Sequence, residues 1–542
     1  MPTPASIRRT GIEFHHPVAF WIGAFLLGAG VCAHIPMYVM SAASGFRMVN
    51  MPVDAVMMAG MGMIVVGLVL SLYGLTPRGN ALVRSRAGDP VISLASADNA
   101  SLTRAHGTLF TVLIVALIVD IMKPATLGFV IPGMADEYGI TRQSASWLAI
   151  TALTGTAVGS VIWGLIADTL GRRSAILISS LMFVGTAICG AMPSFAWNLF
   201  MCFLMGASAG GLLPIAFTLM AETVPSRHRG WMLVLLGGLG TTGGYLVASA
   251  CAAWLEPQYG WRILWFLNLP TGLLLIALNR YLPESPRFLV HMGRNEEARH
   301  VLEGYGVNVV MLPPQPRHSP ASRGWWQSLF TPDVFALSLG LILCGVAWGL
   351  VNFGFLLWLP SNLRGMGMMG GAAEGLLAKS AMFELPGALL VTYLYYRWST
   401  FKSIALFVAV MAACLIGFFL LEKASAHSSA WIIVLTVVLI ISLSGVIAML
   451  IPYATEIYPV QVRGTGSGLI AASSKAGGIA AAGLGVLGMF ASLSASSLVI
   501  ATILILCAAV LVVKGIETRK RDLEEIHPRK QEALADPVRA NE

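Results

Sequence analysis

The most regular feature of this sequence is the alternation of long apolar runs with short polar connections. An α-helix needs about 20 apolar residues to cross the roughly 30 Å of hydrocarbon in a bilayer. Fourteen runs are long enough, at about residues 17–40, 54–75, 107–131, 147–167, 174–192, 196–220, 231–254, 261–281, 334–358, 376–396, 403–421, 430–455, 465–488 and 492–514. The pattern therefore predicts an all-α integral membrane protein with about fourteen transmembrane helices.

The polar connections differ in charge, and basic connections alternate with others that carry few positive residues. Lysine and arginine accumulate in the cytoplasmic loops of membrane proteins, so the alternation predicts cytoplasmic termini at both ends and an even number of helices. The multi-pass chain is expected in the cell membrane, plasma or inner. The basic connections include those with Arg8, Arg78, Arg172, Arg227, Arg287, Arg397 and Arg463, and the tail from Lys514.

One sequence element occurs twice with identical spacing, which indicates an internal repeat. Its residues in AETVPSRHRG and TEIYPVQVRG are Glu222, Pro225, Arg229 and Gly230, and Glu456, Pro459, Arg463 and Gly464. Each copy follows the fourth apolar run, counted from residue 107 or from residue 334. We therefore expect two parallel bundles of six helices.

These bundles divide the chain into five predicted parts. The parts are an N-terminal extension with two additional membrane helices at 1–106, the N-terminal bundle at 107–281, a cytoplasmic linker at 282–333, the C-terminal bundle at 334–514 and a cytoplasmic tail at 515–542. The linker is rich in proline, arginine and polar residues and contains no run long enough to cross a membrane.

The composition agrees with a lipid environment and argues against several classes of function. Hydrophobic residues make up 56% of the 542 residues and charged residues only 11%. The net charge of +8 is spread over short connections and forms no basic face, which argues against nucleic-acid binding. The seven cysteines are single, and there is no HExxH or Walker loop. We therefore expect no metal site, no cofactor and no enzyme activity.

A polar loop between the second and third runs of the first bundle carries a specific motif. GLIADTLGRRS has the pattern G-x-x-x-D-x-x-G-R-R, formed by Gly164, Asp168, Gly171, Arg172 and Arg173. This loop resembles the signature of the major facilitator superfamily. PESPR at 283–287 and the duplicated E-x-x-P-x-x-x-R-G element extend the resemblance over residues 107–514. The resemblance implies the major facilitator fold and a transport function.

The same resemblance implies a conformational gate at the cytoplasmic ends of the helices. Carboxylates and guanidiniums there can pair with one another and with helix termini, and the pairs would break when the bundles move. The alternative is that the arginines only follow the positive-inside rule. The second bundle has no acidic partner in TYLYYRWSTFK, so the gate is expected to be stronger on the N-terminal half. The predicted gate residues are Gly164, Asp168, Gly171, Arg172, Arg173, Glu222, Arg229, Glu456 and Arg463.

Ionisable residues inside the predicted membrane helices are the candidates for the transport site, because their burial in lipid is costly. Asp120 and Lys123 share one helix face, either as a proton-binding carboxylate beside an ammonium or as a permanent structural ion pair. Lys475 is a candidate for binding the negative end of a substrate, and pairing with Glu384 is its alternative. Two further side chains offer hydrogen bonds to a solute, with helix packing as the alternative, namely Asn352 and Tyr245.

The subfamily is indicated by weaker resemblances. The segment around Asp120, VDIMKPATLGFVIPGMADEYGI, resembles organic-acid symporters, as does WLPSNL at 358–363. PESPR also occurs in sugar porters and in the synaptic-vesicle-protein-like and aromatic-acid:proton symporter groups. Cys202 stands where many organic-ion members carry an anion-binding arginine, which argues against organic-anion specificity.

Together these features predict a secondary active transporter of a small organic metabolite that works by alternating access. Proton-coupled symport of an organic or aromatic acid is favoured. The alternatives are a proton-driven exporter of drugs or metabolites, a sugar transporter and, from another class, a non-transporting membrane sensor. The expected partners are a small-molecule substrate, the proton as coupling ion and membrane lipid, with no nucleic acid, and the chain is expected to be a monomer.

Overall fold

The helices of the protein, seen in a computed structural model, follow the apolar runs of the sequence. The structure describes residues 14–49, 51–76, 91–92, 100–307, 309, 311–312, 332–365, 372–423, 429–457, 463–488 and 493–517. Thirteen helices in these ranges are long and apolar enough to cross a membrane. A further helix, Ala372–Arg397, has 26 residues and is long enough to span a membrane, but its sequence includes several charged residues. The predicted all-α membrane architecture is confirmed.

The chain ahead of the first bundle folds into a pair of membrane helices. Helix α1 is Pro17–Cys32, α2 is Ile35–Met40 and α3 is Ala55–Leu75, with a 3₁₀ turn at Ser41–Ser44 after α2. The first predicted run, 17–40, is therefore divided into two helices, α1 and α2. The chain restarts with Pro36 in the first turn of α2, where its missing N–H is tolerated, whereas inside a continuous helix it would remove a hydrogen bond.

Glycines let α1 and α3 cross at close range. A Cβ atom on Gly23 would lie 2.5 Å from the carbonyl oxygen of Gly67, and one on Gly30 would lie 2.5 Å from that of Gly60. Small residues at helix crossings permit close backbone approach in membranes. The two helices therefore form a tight hairpin, which we call the N-terminal hairpin, and it packs against helix Arg172–Gly185 of the first bundle.

The first bundle contains six paths across the membrane, two of them interrupted. Its helices are α4 Arg104–Tyr138, α5 Arg142–Leu170, α6 Arg172–Gly185, α7 Phe195–Ala209, α8 Leu212–Thr223, α9 Ser226–Tyr259, α10 Ile263–Phe266 and α11 Asn268–Leu278. Helices α7 and α8 form one path, as do α10 and α11, which ends in a 3₁₀ turn at Asn279–Tyr281. Helix α6 continues into a 3₁₀ segment, Thr186–Ala191. Two short helices follow the bundle, α12 Pro286–His291 and α13 Asn295–Gly304.

The second bundle repeats this plan. Its helices are α14 Pro332–Leu350, α15 Leu357–Gly365, α16 Ala372–Arg397, α17 Thr400–Lys423, α18 Ser429–Ile457, α19 Arg463–Val486 and α20 Leu493–Lys514. A π-helical segment, Val351–Leu356, joins α14 to α15. The two halves meet where α5 packs against α19 and where α9 packs against α16 and α18.

A small sheet connects the stretches that precede and follow the first bundle. Strand β1, Val91–Ile92, pairs antiparallel with β2, Met311–Leu312. Nearby, the ring of His106 at the start of α4 lies edge-on to Tyr305, with 4.7 Å between ring centroids. These contacts hold the chain after α13 against the first bundle.

Glu137, near the end of α4, binds the loop of the N-terminal hairpin. Its carboxylate accepts hydrogen bonds from the N–H of Met48 at 2.7 Å and of Val49 at 3.2 Å. The same carboxylate pairs with Arg262 at 2.8 Å. The Arg262 side chain is fully buried, so Glu137 is the group that balances its charge. The hairpin is thereby attached to the first bundle.

We expect Glu137→Gln to destabilise the fold, because it leaves the buried guanidinium of Arg262 without a carboxylate. Removing one partner of a buried pair costs about 3–5 kcal/mol. The midpoint of thermal unfolding in detergent should therefore fall by several degrees. The matched control is Asp136→Asn, which removes a carboxylate from the neighbouring exposed position. Equal midpoints for the two variants would contradict the assigned role of Glu137.

Candidate transport site

Asp120 and Lys475 lie near the middle of α4 and α19, one in each half of the molecule. The side chain of Asp120 is buried and interacts electrostatically with Lys475. The Lys475 ammonium donates a hydrogen bond to the hydroxyl of Ser160 on α5. Ser160 donates in turn to the carbonyl oxygen of Gly210 at 2.8 Å, so its oxygen accepts from the lysine. A carboxylate and an ammonium from opposite halves thus interact electrostatically, and Lys475 reaches the first half through its hydrogen bond to Ser160.

Lys123 lies one turn from Asp120 on α4, as its spacing predicts, but its contacts point elsewhere. The ammonium donates to the hydroxyl of Ser208 at 2.9 Å and to that of Thr186 at 3.3 Å. Within the described part of the chain, its side chain makes no direct ion pair with Asp120. The two groups interact electrostatically, so a structural Asp120–Lys123 pair remains an alternative prediction beside the proton-binding role of Asp120.

The other predicted site residues lie on three further segments. Tyr245 on α9 is buried, and its ring centroid is 5.8 Å from that of Phe129 on α4. Asn352 is half-buried in the π-helical segment, a type of helix irregularity that is frequent at functional sites. Glu384 belongs to α16, but its side chain lies outside the described part of the structure, and so does its predicted pairing with Lys475.

The predicted gate residues of the first half form a cluster at the start of α6. The Arg172 guanidinium lies 3.3 Å from the carboxylate of Asp168 and 3.4 Å from that of Glu222. Arg173 donates to the carbonyl oxygen of Asn279 at 3.1 Å. All of these contacts lie within the first half. The Asp168 side chain is 73% exposed, so its pair with Arg172 contributes little stability by itself.

The remaining gate residues are only partly described. Arg229 donates to the carbonyl oxygen of Val224 at 3.4 Å, which is a long contact. At Gly164 a side chain would meet no other atom within 4 Å, so local packing does not require glycine there. Glu456 and Arg463 belong to α18 and α19, but their side chains lie outside the described residues, as does any contact between the two copies of the repeated element.

Glu284, which belongs to the PESPR motif, is a central member of this cluster. It was not among the predicted gate residues. It accepts hydrogen bonds from the N–H of Arg172 at 2.8 Å and of Arg173 at 3.2 Å, at the positive end of α6. Gly171 has φ +98°, and a Cβ there would lie 2.4 Å from the Glu284 carboxylate, so glycine is required. Burial raises the pKa of Glu284, while the N–H donors act in the opposite direction. Ser285 links this carboxylate to the cluster by donating to Glu222.

An ion pair at the opposite end of the molecule joins the two halves directly. Arg364 at the end of α15 lies 2.8 Å from Glu256 near the end of α9, and both side chains are largely buried. Sequence reasoning missed this pair because the residues are far apart in the chain and belong to no motif. The available signal was that an acidic and a basic residue lie near the ends of two helices that are predicted to end on the same side of the membrane.

A model of the Major Facilitator Superfamily matches residues 108–482, which is more than half of the chain. The protein belongs to the major facilitator superfamily. Members of this superfamily that resemble it include the niacin transporter NiaP of Acinetobacter baylyi, 27% identical over 440 residues that cover 79% of this chain and 98% of the relative. The 4-hydroxybenzoate transporter PcaK of the same organism is 26% identical over 402 residues, covering 72% and 86%.

A solved structure with the same fold is the proton:xylose symporter XylE of E. coli bound to 6-bromo-6-deoxy-D-glucose. It superposes with a TM-score of 0.63 at 16% identity, over 80% of this chain and all of XylE. This likeness shows the major facilitator fold. The protein is therefore a multi-pass membrane transporter of small organic compounds, and its superfamily and relatives are transporters rather than enzymes.

Proposed function

We propose that this protein is a proton-coupled symporter of aromatic monocarboxylates that works by alternating access. The observation that carries the proposal is that Lys475 of the second half donates a hydrogen bond to Ser160 of the first half and interacts electrostatically with Asp120. The names of the relatives support it, because niacin and 4-hydroxybenzoate are both aromatic acids with one carboxylate. The Lys475 ammonium would bind that carboxylate, and Asp120 would carry the proton.

The coupling follows from competition for the Lys475 charge. In this structure the Lys475 ammonium interacts electrostatically with Asp120 and donates a hydrogen bond to Ser160. A bound carboxylate would neutralise the ammonium, and Asp120 would then lose the positive neighbour that favours its ionised form. Proton uptake by Asp120 would therefore accompany substrate binding. The loaded site would carry no more net charge than the empty one, which lowers the cost of moving it across the membrane.

Lys475 would also take over the role of the arginine that the first half lacks. Cys202, which stands where many organic-ion members carry an arginine, is fully buried in α7. In our proposal the cation that binds the substrate lies instead on α19. Tyr245, Asn352 and Glu384 would supply the polar contacts that orient the aromatic ring and its substituents.

The gate is proposed to act at both ends of the bundles. Glu256 and Arg364 hold the halves together at one end in this structure. The Asp168, Arg172 and Glu222 cluster would close the other end, together with Glu456 and Arg463 of the second half. The positive-inside rule supports an orientation with the latter end and both termini in the cytoplasm, in a plasma or inner membrane. We propose that one chain forms the working unit.

The proposal is tested by counterflow in proteoliposomes loaded with unlabelled substrate. Labelled nicotinate and 4-hydroxybenzoate should enter, and an inward proton gradient should accumulate both. Nicotinamide and xylose are the matched controls, because the first lacks the carboxylate of nicotinate and the second is a sugar. Counterflow of nicotinamide or xylose without counterflow of either acid would overturn the assignment.

A further inference from the structure

Lys123 is a buried lysine whose hydrogen bonds are fixed by hydroxyl groups. The hydroxyl of Thr186 donates its hydrogen to the carbonyl oxygen of Phe183 at 2.8 Å, and that of Ser208 donates to Met205 at 2.7 Å. Each hydroxyl has one hydrogen to give. Both oxygens therefore accept from Lys123, and neither donates to it.

The third direction around the lysine nitrogen is occupied by an aromatic ring. The Lys123 Nζ atom lies 3.0 Å from the centroid of the Phe183 ring. An ammonium has three N–H donors, and here it finds two hydroxyl oxygens and the electron-rich face of a ring. We call Thr186, Ser208 and Phe183 the lysine cage. The cage matches the charged form of Lys123, since a neutral amine has only two N–H donors.

The cage is closed on its outer side by the N-terminal hairpin. A Cβ on Gly185, next to Thr186, would lie 3.1 Å from the side chain of Ile64 on α3. Nearly all residues of the most apolar part of the span Arg172–Ala191, which supplies two of the three cage residues, are buried. The hairpin thus separates this polar cluster from lipid.

The titratable neighbours of Lys123 are few. Those that interact with it electrostatically are Asp120 on its own helix and the Cys189 thiol on the 3₁₀ segment. The cations that act on Asp120 are Lys123 and Lys475. Lys475 belongs to the other half and can be neutralised by a substrate, whereas Lys123 is fixed by residues of its own half.

We propose that Lys123 is a positioning residue for coupling, a fixed positive charge that sets the pH range in which Asp120 exchanges its proton. The inference rests on the proposed role of Asp120. Lys475 supplies the electrostatic change that accompanies substrate binding. Lys123, held by the lysine cage, supplies a positive charge that does not change during the cycle. The cage offers three acceptors to the ammonium form of Lys123, one turn of helix from Asp120 and without a direct ion pair.

The test is the rate of labelled nicotinate uptake as a function of external pH in proteoliposomes. Loss of the fixed charge in Lys123→Met should let Asp120 keep its proton to higher pH. The pH of half-maximal uptake on the alkaline side should therefore rise by about one unit. Thr186→Val removes one acceptor of the cage and should move the profile in the same direction by less. Thr186→Ser restores the hydroxyl and should match the wild type.

The outcomes separate this inference from the proposed function. If both Lys123→Met and Thr186→Val keep the wild-type pH profile while Asp120→Asn loses accumulation, the role of Lys123 is overturned and the symport proposal stands. A lower maximal rate with an unmoved profile would show a purely structural role and would also overturn it. If Asp120→Asn still accumulates nicotinate, the proposed function itself fails. If Lys123→Met does not fold, the comparison of Thr186→Val with Thr186→Ser decides.

Discussion

Asp120→Asn should abolish the uphill accumulation of nicotinate driven by a proton gradient, while exchange of nicotinate across the membrane stays measurable. Asparagine keeps the shape of the side chain but cannot carry the exchangeable proton, so the substrate loses its coupling ion. The internal concentration should therefore rise only to the external one. Counterflow should continue, because Lys475 remains in place to bind the carboxylate.

Two measurements on the same vesicles check this expectation. The first is the accumulation ratio with an inward proton gradient, and the second is counterflow without a gradient. Asp136→Asn is the matched control, because it removes an exposed carboxylate near the end of the same helix. It should behave as the wild type in both measurements. Accumulation by Asp120→Asn at the wild-type ratio would remove Asp120 from the coupling role.

Lys475→Met should weaken the binding of aromatic carboxylates by about ten- to one-hundredfold. A hydrogen bond to a charged group is worth about 1.5–3 kcal/mol, and each 1.4 kcal/mol is a factor of ten in affinity. Methionine is close to lysine in length but carries no charge, so the loss reports on the ammonium. The apparent dissociation constant for nicotinate, from competition against counterflow, is the quantity to measure.

Ser160→Ala is the control for this second substitution. It removes the hydroxyl that accepts from Lys475 but leaves the charge in the site. Its effect on nicotinate affinity should be several times smaller than that of Lys475→Met. Similar losses in the two variants would indicate that the hydrogen bond between α5 and α19 matters for packing and that the charge does not bind the substrate.

The helices were predictable because crossing a bilayer requires a long apolar run, which is a local property of the sequence. The interruptions within these helices were harder to predict. The break ahead of α2 has a local signal in Pro36, whereas the change from α6 to a 3₁₀ segment at Thr186 has none, since it accompanies packing against residues far away in the chain. The π-helical segment around Asn352 is a further irregularity that hydropathy does not register.

The candidate site was partly predictable because ionisable residues in apolar runs are rare and therefore conspicuous. Asp120 and Lys475 were identified in that way, but the sequence does not show that they interact across the two halves. The lysine cage was invisible, because serine and threonine are common in membrane helices and only the packing reveals which of them face Lys123. Glu284 was hidden for a similar reason, since its role depends on the backbone N–H groups of a distant helix.

The attachment of the N-terminal hairpin makes the two halves unequal in size. Among the described residues, the hairpin and the first half together have eight helices that are long and apolar enough to cross the membrane, held together by Glu137 and by the contacts of α6. The second half has five such helices and the less apolar α16. Viscous resistance from the bilayer grows with the cross-section of the body that turns. The smaller C-terminal half should therefore sweep through the larger angle in each transport cycle, and the annular lipids around it should be rearranged the most.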